Sequence, residues 1–231
     1  MIVAIFDVDR TLVDGMCGYF FYMAVRPHLS FARRLLISLE MLGHRWGVFD
    51  ERRVVELGVR MYAGMEVEFL KRLGRRCFEE MIKDRLFVEG LERIERHKAS
   101  GHRIILVSGS TEFAIAPIAE FVGADEFHAT GAFCQNGVST GKVRYPLNYG
   151  EGRLEILGKR LHELGASWDD CYLYSDNLTD ISVFERCGHP VVVNPKDALE
   201  RIARQRRWSI ERWTTLCGAG KRSSGTSFPL R

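Results

Sequence analysis

Four aspartates follow short apolar runs of this chain and are its strongest candidates for joint chemistry. They are Asp7, Asp9, Asp176 and Asp180. Side chains two positions apart point to the same side of an extended chain, so Asp7 and Asp9 can share one site. Neighbouring carboxylates repel each other and favour a bound cation. Oxygen ligands without His or Cys are typical of Mg²⁺, so the sequence predicts a magnesium site.

The elements that would position these aspartates are four short apolar segments, at residues 1–6, 103–107, 171–174 and 190–193. Each is typical of a strand buried on both faces of a parallel sheet. Helical patterns lie between them, at residues 89–100, 111–122, 152–164, 180–186 and 196–206. This alternation predicts an α/β fold with a parallel sheet covered by helices. Ligands bind beyond the carboxyl ends of such strands, so the aspartates are expected to meet there.

A third group of polar residues follows the second predicted strand. Ser108, Gly109 and Ser110 directly precede the helix predicted from Thr111. A hydroxyl and free backbone N–H groups at a helix N-terminus can bind an anion. The same pattern can simply cap a helix. We favour the anion site because this group and both aspartate pairs follow strands that end at one edge of the sheet.

Residues 15–85 break the alternation because they contain helical patterns, such as 31–42 and 54–62, and no convincing strand. We interpret this stretch as an inserted helical cap on a core made of residues 1–14 and 86–216. Residues 129–144 are a second exception, since Asn136-Gly137 between apolar runs indicates a hairpin. Residues 217–231, rich in Gly, Ser and basic residues, are predicted to be a disordered tail.

Composition narrows the possible classes of protein. The 231 residues contain 33 Lys plus Arg against 30 Asp plus Glu, and a net charge of +3 gives no reason to expect nucleic acid as a partner. The six cysteines are scattered, which predicts buried free thiols in a reducing compartment. Two early aspartates argue against a signal peptide, and no apolar run reaches 18 residues. We expect a soluble, cytoplasmic protein without stable membrane insertion.

The predicted cap carries a surplus of positive charge, with 13 Lys or Arg and 9 Asp or Glu between residues 15 and 85. It also contains the apolar runs 19–22 and 35–37. Together these features could attract an amphiphilic phosphate such as a lysophospholipid. Packing of the cap helices on one another is the simpler interpretation of the same runs, and we favour it.

The ordered motifs resemble those of one enzyme superfamily. A D-x-D-x-T motif occupies residues 7–11, Ser108 follows Ile-Ile-Leu-Val, and Ser-Asp-Asn-Leu-Thr-Asp occupies residues 175–180. In this order they resemble the haloacid dehalogenase superfamily, in particular its phosphoserine-phosphatase-like branch, subfamily IB. The resemblance extends from Met1 to about Trp213. It implies a Rossmann-like core with a helical cap inserted after the first motif, and hydrolysis of phosphate monoesters.

The same resemblance implies a basic residue ahead of the helix that precedes the third strand. Gly150-Glu151-Gly152-Arg153 stands at the expected place, so Arg153 is our candidate. Arginine can neutralise phosphate charge, although its planar fork differs from the lysine point charge that is usual in the family. Lys159 is the rival, and we expect it on the outer face of the helix.

The resemblance also assigns roles to individual residues. Asp7 would be the nucleophile that forms an aspartyl-phosphate, and Asp9 would be the general acid and base. Mg²⁺ would be held by Asp7, the Asp9 carbonyl and Asp176. The residues expected around the phosphoryl group are Thr11, which also orders the loop, Ser108, Gly109 and Arg153. Asn177 and Asp180 would support the metal waters or Arg153.

Two alternatives share these motifs: a phosphotransferase that passes the phosphoryl group to another alcohol, and a non-catalytic binding module. The intact set of four aspartates argues against the module. The substrate, a small phosphate ester, stays open. In phosphoserine phosphatases an acidic residue nine positions after the nucleophile binds the substrate ammonium, but here that position is Met16 and the nearby Asp14 is out of register. We therefore predict that phosphoserine is a poor substrate.

Overall fold

A computed structural model describes residues 1–45 and 51–219 of the chain. Its strands are β1 (Val3–Asp7), β2 (Arg103–Thr111), β3 (Glu126–Thr130), β4 (Ala132–Gln135), β5 (Val138–Val143), β6 (Cys171–Ser175), β7 (His189–Val193) and β8 (Ser209–Glu211). Six of them form one parallel sheet in the order β3-β2-β1-β6-β7-β8. The predicted α/β fold with a parallel sheet is confirmed.

The helices within the described residues cover the sheet and build the segment between β1 and β2. They are α1 (Cys17–Val25), α2 (Phe31–Arg45), α3 (Glu51–Arg60), α4 (Val67–Cys77), α5 (Val88–Ala99), α6 (Glu112–Val122), α7 (Gly150–Leu164), α8 (Ile181–Phe184) and α9 (Asp197–Arg206). A π-helical turn at Phe78–Ile82 and a 3₁₀ turn at Lys83–Arg85 lead from α4 towards α5. Residues 17–45 and 51–85 are thus largely helical.

Strand β1 lies at the centre of the fold because its residues are apolar on both faces. Val3 and Ile5 pack into one cluster of buried side chains, whereas Ala4 and Phe6 pack into the cluster on the opposite face. Full burial of each larger side chain contributes about 1.5–3 kcal/mol to stability. The only polar member of the strand, Asp7, stands at its carboxyl end. Packing therefore fixes the position of this aspartate.

The order of strands creates a switch point at β1, because β2 lies on one side of it and β6 on the other. Asp7 is level with Val107 in β2, and Phe6 is level with Tyr174 in β6. The polar residues after these three strands therefore share one edge of the sheet. Such a switch point is where open α/β sheets bind ligands.

Helix α4 packs closely on α6 and so joins the helical segment to the sheet-bearing part of the chain. A Cβ atom on Gly74 would lie 2.0 Å from the Phe113 carbonyl oxygen, which no side chain can tolerate. Phe21 and Tyr62 pack edge to face nearby, with ring centroids 5.4 Å apart. Gly74 is therefore required for this close approach.

The predicted hairpin is confirmed as the antiparallel pair β4 and β5. Its turn residues Asn136 and Gly137 have φ values of 51° and 76°, the left-handed conformation that an Asn-Gly turn adopts. Two strands of the main sheet were not predicted, namely β3 and β8. Strand β3 has polar residues and is half-buried at the sheet edge, and β8 has three residues, so neither shows a continuous apolar run.

Several predicted boundaries were wrong. Strand β2 continues through the Ser-Gly-Ser segment to Thr111, with a shift of register after Val107, and α6 begins at Glu112. The helix predicted at residues 180–186 is a 3₁₀ turn, Leu178–Asp180, followed by the short α8. In the predicted tail, Cys217 and Gly218 donate backbone hydrogen bonds to Leu86 and Asp84. Residues 220–231 of that tail lie outside the described residues.

All six cysteines are free. Four are buried as predicted, but Cys134 and Cys217 are exposed, because they lie on the hairpin and near the end of the described chain. Among residues 1–45 and 51–219, no helix has both the length and the apolar character needed to cross a bilayer.

Candidate active site

The loop after β1 wraps tightly so that Asp7, Asp9 and Thr11 face one place. The Val8 carbonyl accepts hydrogen bonds from the N–H groups of residues 11–13, and the Arg10 N–H donates to Gly15 at 2.9 Å. Arg10 has a φ of 61°, which is uncommon for a residue with a side chain and is found most often at functional sites.

The Asp7 carboxylate is buried and receives two partners. The Thr11 hydroxyl donates to Asp7 Oδ2 at 3.1 Å, and Arg153 Nη1 lies 2.9 Å from Asp7 Oδ1. Burial raises the pKa of Asp7 well above its usual range, Arg153 opposes that rise, and the Asp180, Asp176 and Asp9 carboxylates add to it. Asp7 therefore needs neighbouring positive charge in order to ionise.

Arg153 supplies part of that charge from the first turns of α7. Its side chain is 1% exposed, and Nη1 also donates to Asp180 Oδ2 at 2.5 Å. Nε and Nη2 donate to the side-chain and backbone oxygens of Asn148, each at 3.1 Å. Lys159 is exposed. Of the two basic candidates, the structure brings Arg153 to the aspartates and leaves Lys159 outside.

Asp180 is fully buried and contacts the same Arg153 nitrogen, Nη1, as Asp7. Its Oδ2 atom accepts from the Ser175 hydroxyl at 2.7 Å as well as from Arg153. Its Oδ1 atom is buried and has no hydrogen-bond partner among the described residues. Asn177 caps the 3₁₀ turn that carries Asp180, because its side-chain oxygen accepts from the Thr179 N–H at 3.1 Å.

Asp176 enters the site through Thr11. Its N–H donates to the Thr11 hydroxyl at 3.0 Å, and its Oδ1 atom lies 3.4 Å from the same hydroxyl. Burial raises the pKa of Asp176 to about 6, Arg10 opposes the rise, and Asp180 and Asp9 add to it. Thr11 has no exposed surface and bonds both Asp7 and Asp176, so its position is that of a brace between β1 and β6.

Asp9 faces the end of β2 and the start of α1. Its Oδ2 atom accepts from the hydroxyls of Ser108 at 2.5 Å and Ser110 at 2.9 Å, and its Oδ1 atom accepts from the Cys17 N–H at 2.5 Å. The Ser110 hydroxyl in turn accepts from the Gly18 N–H at 2.9 Å. Asp9 thus connects the strand edge to the helical segment.

The expected anion site after β2 is only partly open. Ser108 is buried, donates to Asp9, and accepts from the Ser110 N–H at 2.9 Å, so that N–H group is occupied. Gly109 lies between them, and its carbonyl accepts from the Thr130 hydroxyl at 2.7 Å. A phosphoryl group would have to compete with Asp9 for the Ser108 hydroxyl.

The charges of the site suit a divalent cation. Four carboxylates converge on it, whereas the only buried guanidinium among the described residues is that of Arg153. Within the described parts of the chain, no three His, Cys, Asp or Glu side chains form a metal-binding group. Mg²⁺ needs only one or two carboxylates together with water and phosphate oxygens. The raised pKa values of Asp7 and Asp176 and the unpartnered Asp180 oxygen fit such an ion.

Sequence reasoning missed two residues that hold this arrangement. Asn148 carries no motif, yet it is fully buried and makes two of the hydrogen bonds of Arg153. Ser110 was considered only as part of the predicted anion site or a helix cap, yet its hydroxyl reaches Asp9. The one available signal for Asn148 was its position five residues before the basic candidate.

The residues next to the opening of the loop differ from an ammonium-binding site. Met16 is 44% exposed, and its sulfur accepts a hydrogen bond from Arg10 Nη2 at 3.1 Å. Asp14 lies 3.8 Å from Arg85 and is half exposed. A cation, Arg10, therefore contacts Met16, the residue at the position where the resemblance leads us to expect a substrate-binding acid.

Comparisons with known proteins agree with this geometry. The sequence model of the haloacid dehalogenase-like hydrolase family matches residues 4–185 of this chain. A probable phosphatase of Mycobacterium tuberculosis is 32% identical over 217 residues, which are 90% of this chain and 74% of that protein. A protein of unknown function from Bordetella pertussis Tohama I superimposes with a TM-score of 0.82 at 25% identity, over 90% of this chain and 96% of the other.

A phosphoserine phosphatase with a phospho-aspartyl intermediate analogue superimposes with a TM-score of 0.65 at 20% identity. The superposition covers 93% of this chain and 94% of the other. At this identity the likeness shows a shared fold.

Proposed function

The chain is a phosphatase of the haloacid dehalogenase-like hydrolase family, and we propose that it uses Mg²⁺ to hydrolyse small phosphate monoesters through an aspartyl-phosphate on Asp7. The observation that carries this proposal is the buried Asp7 carboxylate at the switch point, 2.9 Å from Arg153. A structural neighbour with a phospho-aspartyl intermediate analogue supports an aspartyl-phosphate mechanism on this fold.

In the first step an oxygen of Asp7 attacks phosphorus, and the bond between phosphorus and the ester oxygen breaks. Asp9, protonated for this step, gives its proton to the leaving alkoxide, so the alcohol departs neutral. Its contacts with Ser108 and Ser110 keep Asp9 on the side of the helical segment, from which the alcohol would leave.

In the second step Asp9 accepts a proton from water, and the water oxygen attacks the phosphorus of the aspartyl-phosphate. The bond between phosphorus and Asp7 breaks, which restores the carboxylate and releases inorganic phosphate. Ser108 and Arg153 would donate hydrogen bonds to the transferring oxygens in both steps. Asp180 would act as a positioning residue, because its carboxylate contacts Arg153 Nη1.

Mg²⁺ would be held by the carboxylates of Asp7 and Asp176 and the backbone carbonyl of Asp9. When bound, the ion offsets the negative charge of nucleophile and phosphate. Asn177 and Asp180, whose Oδ1 atom is unpartnered among the described residues, would support the waters of the ion.

Residues 15–85 are proposed to act as a cap over a core of residues 1–14 and 86–216. The cap side of the site presents Met16 and Arg10, so we propose a substrate whose alcohol part lacks an ammonium group. Burial of an unpaired cation there would cost about 1–3 kcal/mol or more.

The test is hydrolysis of p-nitrophenyl phosphate with Mg²⁺ by three variants of the full chain. Asp7→Asn should abolish turnover, because an amide cannot form the acyl phosphate. Asp9→Asn should lower kcat by roughly 10²- to 10⁴-fold. Asp14→Asn, a change at an exposed carboxylate of the same loop, is the matched control and should stay near the parent. More activity in Asp7→Asn than in Asp9→Asn would contradict the assigned roles.

A further inference from the structure

The outer face of α2 exposes a row of large apolar side chains. Phe31, Leu35, Leu36, Leu39 and Leu42 are each between 46% and 75% exposed. Thirteen large apolar residues are exposed in the described parts of the chain, and five of them lie on this helix. A concentration of this kind marks an interaction surface, whereas single exposed apolar residues do not.

The spacing of these residues places four of the five on one side of the helix. At about 100° per residue, positions 31, 35, 39 and 42 fall within an arc of roughly 80°. Ile37 is buried and falls on the opposite side. Helix α2 therefore packs on the protein through one apolar face and presents a second one to solvent. We interpreted the apolar run at residues 35–37 as packing between cap helices. In the structure only Ile37 of this run is buried, whereas Leu35 and Leu36 are exposed.

The charged residues before and within α2 are mostly basic. Residues 15–45 contain four arginines and a single acidic residue, Glu40. Arg26 is exposed on the turn that leads into α2, and by the same spacing Arg34 lies about 60° outside the arc. Arg33, whose Nη1 donates to the Ala63 carbonyl at 2.9 Å, lies on the side of Ile37. An apolar stripe with arginines beside it is the pattern of a helix that lies in the plane of an anionic lipid surface.

We propose that α2 docks the protein reversibly on an anionic membrane surface, with Phe31, Leu35 and Leu39 entering the boundary between headgroups and acyl chains. A second copy of the chain fits this face less well, because pairing the same face would bring the arginines of both copies together. Anionic headgroups instead neutralise them. The 15-residue helix lies on the bilayer and does not cross it.

The experiment is co-sedimentation of the full chain with vesicles of phosphatidylcholine alone and of phosphatidylcholine with about one third phosphatidylglycerol. We expect binding to the anionic vesicles that weakens with added salt. The double variant Leu35→Gln/Leu39→Gln, which adds no charge, should lower the partition coefficient about tenfold or more. Arg26→Gln should lower binding to the anionic vesicles alone.

Phe133→Gln is the matched control, because Phe133 is 52% exposed on the hairpin, away from α2. It should bind vesicles like the parent. All variants should hydrolyse p-nitrophenyl phosphate at the parental rate, which separates this proposal from the catalytic one. Equal vesicle binding by parent and double variant, or no binding by the parent, would overturn it. So would a dimer in sedimentation velocity that the double variant abolishes, since a second copy would then be the occupant.

Discussion

Replacement of Arg153 by methionine tests the central contact of the site. The side chain is 1% exposed and bridges Asp7 and Asp180 at 2.9 and 2.5 Å. Methionine fills a similar length but leaves both carboxylates buried without their cation. Removal of one partner from a buried ion pair typically costs about 3–5 kcal/mol, and we expect Arg153→Met to lose that much unfolding free energy in metal-free buffer.

The loss should depend on pH in a defined direction. The charge of Arg153 opposes the raised pKa of Asp7, so its removal raises that pKa further. A carboxyl whose pKa is higher in the folded than in the unfolded state stabilises the fold when protonated, and this contribution is lost as the pH rises through the folded pKa. The destabilisation of Arg153→Met should therefore be larger at pH 8 than at pH 5.

The measurement is urea unfolding of parent and variants at both pH values, with kcat measured on folded protein. Lys159→Met is the matched control on the same helix, and as an exposed change it should stay within about 0.5 kcal/mol. Arg153→Lys keeps the charge but loses the two hydrogen bonds to Asn148. Its loss of unfolding free energy should therefore lie between those of Lys159→Met and Arg153→Met. If Arg153→Met unfolds like the parent and keeps its kcat, or if Lys159→Met is the more damaging change, the basic role does not belong to Arg153.

Three further predictions concern metal, pH and substrate. EDTA should abolish activity and Mg²⁺ should restore it, whereas Ca²⁺ should support little activity. Mg²⁺ should also raise the Tm of the parent but not that of Asp176→Asn. Full activity in EDTA would contradict the metal site. Burial lowers the pKa of His97 from 6.5 to about 4, so its neutral form contributes roughly 3 kcal/mol above pH 6.5 that is lost towards pH 4. In urea unfolding, His97→Gln should weaken the dependence of the unfolding free energy on pH between 6.5 and 4, whereas His162→Gln, a change at an exposed residue, should leave it unchanged. Phosphoserine should be a poor substrate and Met16→Asp should raise its kcat/KM; a parental value tenfold above sugar, glycerol and lysolipid phosphates would contradict this.

The central part of the sheet could be predicted because each of its strands is a continuous apolar run. Strand β1, for example, is buried on both faces, and a strand in that environment requires apolar residues at successive positions. Strand β3 contains Glu126 and His128, which sit at the edge beside arginines, so its pairing depends on neighbours distant in sequence. Periodicity within the strand cannot reveal them.

The aspartates of the site were predictable for the same reason as the strands. Asp7 and Asp176 end apolar runs, and parallel strands end at one edge. The partners of these groups were not predictable. Ser108 donates to Asp9, 99 positions away, because of the register of β2 beside β1. Asn148 contacts Arg153 from a loop whose sequence has no periodicity.

The proposed nucleophile, Asp7, must be ionised to react, yet its surroundings favour its protonated form. Burial and three neighbouring carboxylates raise the pKa of Asp7, and Arg153 is the cation that opposes them. Because Arg153 is shared with Asp180, its charge cannot serve Asp7 in full. A further cation at the same edge of the sheet, such as the Mg²⁺ of the proposed mechanism, would favour the ionised form of Asp7. This coupling links the fold, which buries β1 to its last residue, to the metal requirement of the proposed chemistry.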